Sequence, residues 1–319
     1  MQSVSSCASQ GLVYAMGLLW IGHIMSLLRS YALFVFVIPC WGANWAFMKL
    51  GLEYMSAQEL VVVRLVIAAI FMFCVLLPTG ILSWSHWRYR WHIIPLGLIM
   101  PSLFYWGCVE GAARLESGIA GVVAGLIPIF SLIGSALFLR EERLGLMRIL
   151  GIVLGFVGTG FLSMAQNDAN GLGQVTGIFL IILAGIIFSG SFVYVQRFMR
   201  ALDISPLALA TYQNVLGAVL FLVIFPQPNW IVLVDWHPLL VIVLGLGVMG
   251  TAVSFLVYSR IVRELGTVRS SIAVYLTPVF SLMVGIIFLD EHLDGWEILG
   301  VITIISGIIL SGLKKLKET

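Results

Sequence analysis

Charged residues are scarce in this sequence. Asp, Glu, Lys and Arg make up 10% of 319 residues, where soluble domains carry about 25%. A chain that is 61% hydrophobic has too little polar surface to cover a water-facing core, so its solvent is mostly lipid. Cysteine is equally sparse. Cys7, Cys40, Cys74 and Cys108 form no CxxC pair and fall mostly inside apolar runs. That excludes a disulfide framework and a thiolate metal site, and leaves small apolar packing residues. GxSxG, HExxH and paired central aspartates are all missing, and the five histidines lie at span ends or in loops. An intramembrane enzyme needs such a constellation, so enzyme chemistry is disfavoured. No charged ring suggests a channel filter, and the basic residues are too dispersed for a nucleic-acid surface. No cofactor is implied.

What is present is a series of long apolar runs. A hydrocarbon layer of about 30 Å needs about 20 helical residues. Ten runs qualify: Leu33–Met48, Leu60–Leu77, Ile93–Val109, Ser117–Leu139, Leu144–Met164, Val175–Gln196, Pro206–Phe225, Pro238–Tyr258, Thr267–Leu289 and Trp296–Gly312. In lipid every backbone polar group must be satisfied within its own segment, which makes these helices. An outer-membrane barrel would show short alternating segments instead. The expected fold is an all-α membrane protein with ten transmembrane helices.

The basic residues alternate with the spans. With the start of the first span placed in the cytoplasm, 14 of the 17 Lys and Arg fall on the cytoplasmic side. Lys49 and Arg114 fall opposite, and Arg64 lies within a span. This is the bias of an inner-membrane protein with both termini cytoplasmic. Residues 1–30 form an N-terminal extension. Gly11–Leu28 is apolar, but only Arg29 and Ser30 separate it from the next run. It is read as a dispensable or interfacial segment and not as an eleventh span or a signal peptide.

The chain also repeats itself. Pro128-Ile-Phe-Ser-Leu-Ile-Gly-Ser-Ala-Leu-Phe-Leu139 matches Pro278-Val-Phe-Ser-Leu-Met-Val-Gly-Ile-Ile-Phe-Leu289 at six of twelve positions. Each copy runs into an acidic turn, Glu141-Glu142 or Asp290-Glu291, and then into a glycine-rich helix with Gly151 or Gly300 in a similar place. The halves are residues 31–166 and 173–316. Five spans per half is an odd number, so the halves lie in opposite orientations. Two inverted five-helix repeats let one fold open alternately to two sides.

These residues resemble the EamA family of the drug/metabolite transporter superfamily. The likeness covers Met25 to Leu316. It rests on Cys40-Trp41-Gly42-Ala43-Asn44-Trp45, on Arg64, on Pro128 with Glu141-Glu142-Arg143-Leu144, and on Pro278 with Asp290-Glu291-His292-Leu293. His292 departs from the Arg that often follows the Glu. The resemblance implies a 5+5 inverted repeat around a central cavity, with export or exchange of small metabolites, often amino acids.

Few residues can carry that task. Lys49, Arg64 and Glu110 are ionisable and lie toward one face, where together they could form a gate or attract a zwitterion. No Asp or Glu sits at the centre of a span, so Glu110 is the carboxylate placed to serve if protons are the coupling ion. Asn44 lies about 16 Å along the first span, near the midplane. With Trp45, Tyr105, Trp106, Ser191, Tyr194, Tyr275 and Thr277 it makes up the candidate substrate-binding set. The resemblance favours Asn44, Tyr105 and Tyr275, because the family places its cavity on their helices. Pro128 and Pro278 are mid-span and could act as hinges. Gly151, Gly155 and Gly245 suit close helix packing, and the tryptophans near span ends suit interfacial anchoring. The expected partners are a small-molecule substrate and the bilayer, with the chain a monomer or weak dimer.

Overall fold

The structure is a computed structural model that describes residues 29–139, 145–164, 171–225 and 227–317. Residues 1–28, with the N-terminal extension, and 140–144, with Glu141-Glu142, lie outside the described residues. Eight helices are long and apolar enough to cross a membrane. They are α1 (Arg29–Gly51), α2 (Ala57–Thr79), α3 (Trp84–Ala112), α4 (Ser117–Leu139), α5 (Leu146–Met164), α6 (Leu172–Met199), α7 (Pro206–Ile224) and α8 (Trp236–Gly266). Two shorter apolar helices follow, α9 (Ile272–Phe288) and α10 (Gly295–Ser311). All ten expected runs are therefore helical, and no strand occurs among the described residues. The chain is an all-α, multi-pass membrane protein.

Local sequence sets the ends. Ser56 starts α2 with a reciprocal cap: its hydroxyl accepts from the Glu59 N–H, and the Glu59 carboxylate accepts from the Ser56 N–H at 2.9 Å. Asp294 and Glu297 cap α10 the same way, with contacts of 2.8 and 3.0 Å. Ser205 caps α7, and Pro206 fills the first position, where its missing N–H is not needed. Gly266, at φ +81°, separates α8 from α9, a conformation that glycine adopts without a Cβ penalty.

The packing is that of two related halves. α5 crosses α10, α2 packs on α7, and α4 packs on α9. The remaining large contacts exchange between halves: α3 on α7 is matched by α8 on α2. α3 on α6 is matched by α8 on α1, where Phe47 covers Gly245 and Trp41 meets Phe255 and Tyr258. At the α5–α10 crossing, Gly151 lies against Gly307 and Gly158 against Gly300. A Cβ at Gly151 would sit 2.6 Å from the Gly307 carbonyl, and one at Gly158 2.9 Å from the Gly300 carbonyl. Residue 151 corresponds to 300 in the repeat and 158 to 307, so each contact is the image of the other. Bulky apolar side chains point outward, among them Leu137, Phe138, Val223, Ile287 and Phe288. In water such a surface would aggregate; in lipid it is the expected boundary.

Candidate functional site

Arg64 is the most deeply placed cation among the described span residues. It sits about 10 Å along α2 and is only 2% exposed. Three helices hold it. Its Nε donates to Thr251 Oγ1 of α8 at 2.9 Å, and its guanidinium lies 4.1 Å from the ring centroid of Tyr105 on α3. Thr251 in turn donates to the Leu246 carbonyl at 2.9 Å, five residues back. That spacing follows from the wide winding of Leu239–Val253, where i to i+5 bonds replace the α pattern. Such wide turns are rare, and they occur frequently at functional sites. Next to Thr251 is Gly250, and against it lies the amide of Asn44 from α1: a Cβ there would stand 2.4 Å from Asn44 Oδ1. Asn44 is 8% exposed. Asn44 Oδ1 and Arg64 Nη1 are buried without a hydrogen-bond partner. Asn44, Arg64, Tyr105 and Thr251 thus form a polar cluster between α1, α2, α3 and α8, inside an otherwise apolar bundle.

The other candidate binding residues scatter. Trp45 is buried against Gly121 of α4. Trp106 is half-buried, with its indole N–H unpartnered. Ser191 and Thr277 are half-buried, and each hydroxyl donates to a carbonyl of its own helix, Ile187 and Ala273. Tyr194 bonds His92 Nδ1 at 2.8 Å, tying α6 to the start of α3. Tyr275 is half-buried against the core.

The expected grouping of Lys49, Arg64 and Glu110 is not what the fold makes. Glu110 bonds Arg114 at 2.5 Å and Gln58 at 3.2 Å. Lys49 instead pairs with Glu291 at 3.1 Å, from the α9–α10 loop. Glu291 also accepts from the backbone N–H groups of Ser117 and Gly118, at 2.6 and 2.9 Å. It therefore sits on the N-terminus of α4, where unsatisfied N–H groups favour an anion. Those bonds and Lys49 outweigh burial and hold its carboxyl below the usual carboxylate range. Glu116, one residue before α4, goes the other way. Burial first, then the neighbouring Glu291 and Glu297, push its carboxyl up to about 7, with Lys49 and His292 opposing. Glu116 Oε2 has no partner.

Below this ionic group α4 and α9 cross closely. Ser281 donates to the Ser117 carbonyl at 3.1 Å, Gly121 abuts Ser281, and Gly125 abuts Pro278. All these contacts lie in the half of α4 that follows Ser117. In its other half none of residues 131–139 is buried. The two prolines differ as well. α4 is interrupted by a turn at Gly125–Leu126 just before Pro128, while α9 runs through Pro278 unbroken.

Thr251, Gly250, Glu116 and Glu291 carry the site without having been assigned roles from sequence. Glu291 belongs to a quoted turn, but no local pattern pairs it with Lys49. Among the described residues no group of three or more His, Cys, Asp or Glu could hold a metal ion.

With this geometry in place, the chain matches the EamA-like transporter family over residues 28–164 and 175–313. It is 26% identical over 292 residues to an uncharacterized transporter of Archaeoglobus fulgidus, covering 90% of this chain and 98% of that one. It is 22% identical over 290 residues to the probable terminal-alkyne amino-acid exporter of Streptantibioticus cattleyicolor, covering 90% and 94%. A solved crystal structure superposes with a TM-score of 0.63 at 20% identity, over 91% of this chain and 98% of the other, which supports the fold.

Proposed function

Because the chain belongs to the EamA-like transporter family, we propose that it moves amino acids or closely related small metabolites across the inner membrane by alternating access, as an exporter or exchanger. The observation that carries this reading is the unequal state of two related helices. α4 and α9 are locked together at the Lys49 end, through Ser117–Gly125 and Pro278–Glu291. At the other end α4 has no buried residue from 131 to 139. An inverted repeat packed deeply at one end and shallowly at the other, where α4 leans mainly on α6, fits half of an alternating cycle. The charge bias supports a Lys49 end outside and both termini in the cytoplasm, and on that reading this conformation faces inward. The amino-acid assignment is supported by one relative's name, probable terminal-alkyne amino-acid exporter, and by the polar cluster at Asn44 and Arg64.

The test is uptake of labelled amino acids into proteoliposomes loaded with unlabelled compound, with and without a pH gradient. Uptake of at least one amino acid is expected, with loss in Asn44→Ala and Tyr105→Ala. If both well-expressed variants transport like wild type, the site is misplaced. A C-terminal reporter read out on the external face would overturn the orientation. A response to the gradient is assigned to Glu116, because Glu110 is held by Arg114 and Gln58.

A further inference from the structure

Arg64 is a buried cation for which no carboxylate partner is found among the described residues. A charge in that position is costly unless an anion meets it. Tyr105 offers its ring face and Thr251 a hydroxyl oxygen, both neutral partners. Nη1 of the guanidinium donates to nothing. The orphan atom on the neighbouring helix is of opposite type: Asn44 Oδ1 is an acceptor without a donor. The two are bridged by one turn of α8, because Asn44 abuts Gly250 and Arg64 bonds Thr251. The second half of the chain shows that the architecture does not need the charge. Counted from the first residue of each helix, Arg64 in α2 corresponds to Gln213 in α7, and Gln213 is also buried. The fold thus builds the same helix with a neutral side chain there, so the cation answers to something other than packing.

We infer that Arg64 and Asn44 form the head-group subsite for a zwitterion: the guanidinium takes a carboxylate and the Asn44 carbonyl takes an ammonium. Thr251 and Tyr105 are positioning residues that leave Nη1 free. An unpaired donor and an unpaired acceptor satisfy each other through an α-amino acid, whose two charges sit on adjacent carbons. The subsite reads the head and ignores the side chain. It rests on the transporter reading for its access route, which opens from the end opposite Lys49.

The experiment measures binding, not flux. Purified full-length protein in detergent is titrated with alanine, leucine, phenylalanine, glutamate and lysine, followed by tryptophan fluorescence and thermal unfolding. Leucine is compared with isoamylamine, which lacks the carboxylate, and 4-methylpentanoate, which lacks the ammonium. Removing the carboxylate is expected to weaken binding about 10- to 100-fold, the span of one charge-assisted hydrogen bond, and removing the ammonium to weaken it less. Arg64→Gln is expected to abolish the preference for leucine over isoamylamine. Should that variant not fold, the wild-type comparison still decides, and Arg64→Lys, which keeps the charge but loses the planar fork, is expected to weaken leucine about tenfold. Equal binding of leucine and isoamylamine, unchanged affinity in Arg64→Gln, or silence across all five amino acids overturns the subsite. Flux of a compound without a carboxylate alongside such silence sinks the subsite and keeps the transporter. Arg64-dependent binding with no flux in vesicles does the reverse.

Discussion

α4 and α9 carry the same pattern, a proline followed by Phe-Ser-Leu two residues on, and they do different things with it. Before Pro128 the helix ends at Ala124 and restarts at Ile127, while α9 passes through Pro278 without a break. Each proline removes one backbone donor and crowds the preceding turn. That defines where a helix can yield. Whether it yields depends on its neighbours. Pro278 is buried, and its ring faces Gly125, which has no side chain to push it away. Pro128 is only half-buried and precedes the stretch where α4 has no buried residue. A shared motif in an inverted repeat thus marks a capacity to bend, and packing decides which copy uses it.

The comparison can be broken first at Glu291, which belongs to the α9 side but holds the start of α4. Glu291→Ala leaves two helix-start N–H groups and Lys49 without their acceptor. It is expected to cost about 3 kcal/mol, read as a large drop in thermal unfolding temperature in detergent, with Glu291→Gln losing less. A wild-type melt for the alanine variant would mean that the closed end does not depend on this carboxylate. Next comes the crossing itself. A methyl at Gly121 would sit 2.1 Å from Ser281 Oγ, so Gly121→Ala is expected to cost about 2 kcal/mol. Gly134, in the other half of α4, meets only a Val193 methyl, and Gly134→Ala should cost less than about 1 kcal/mol. Equal losses would erase the distinction between the halves of α4.

The prolines sharpen it further. Pro128→Ala restores a donor next to the break and should slow amide exchange around Gly125–Leu126 by about tenfold. Pro278→Ala should leave exchange in the already continuous α9 nearly unchanged. Glu116 gives the closed end a pH dependence. Its carboxyl is raised to about 7 from an ordinary 4.5, so between those values the folded chain keeps a proton that the unfolded chain has released. Stability then falls as pH rises through that window and levels off above about 7. Glu116→Gln should flatten this slope. Glu291, lowered instead, contributes stability that is present above the ordinary carboxylate range and lost on acidification below it. A Glu116→Gln melting profile that still slopes between about pH 5 and 7 would assign the titration elsewhere.

The span pattern was readable because lipid leaves the backbone one solution, so run lengths convert directly into helices. Sequence singles out Asn44 and Tyr105 as binding candidates and Arg64 as a gate residue beside Lys49 and Glu110; the fold instead sets Arg64 beside Tyr105 and the α8 turn that Asn44 abuts. Their true partner, Thr251, was hidden: a threonine mid-span looks like any self-bonded hydroxyl until the wide winding of Leu239–Val253 is seen. Ser191 and Thr277 are of that ordinary kind. The Lys49–Glu291 pair spans 242 residues of sequence and could not be read locally. Nor could helix rotation be read for α2 or α3, which are apolar nearly all round, so the same depth did not tell which of Lys49, Arg64 and Glu110 face one another.

The α5–α10 crossing has a different lesson. At Gly151, Gly158, Gly300 and Gly307 the two helices touch through main-chain atoms. Main-chain contacts have no χ angles of their own, so only flanking side chains such as Ile304 and Leu162 can repack there, and little side-chain entropy is regained by parting. α3 and α6 meet in a similar way at Gly111 and Gly177, away from the α5–α10 pair. Across the α5–α10 seam the two halves have little room to repack, so the rocking that alternating access calls for is expected to turn about it.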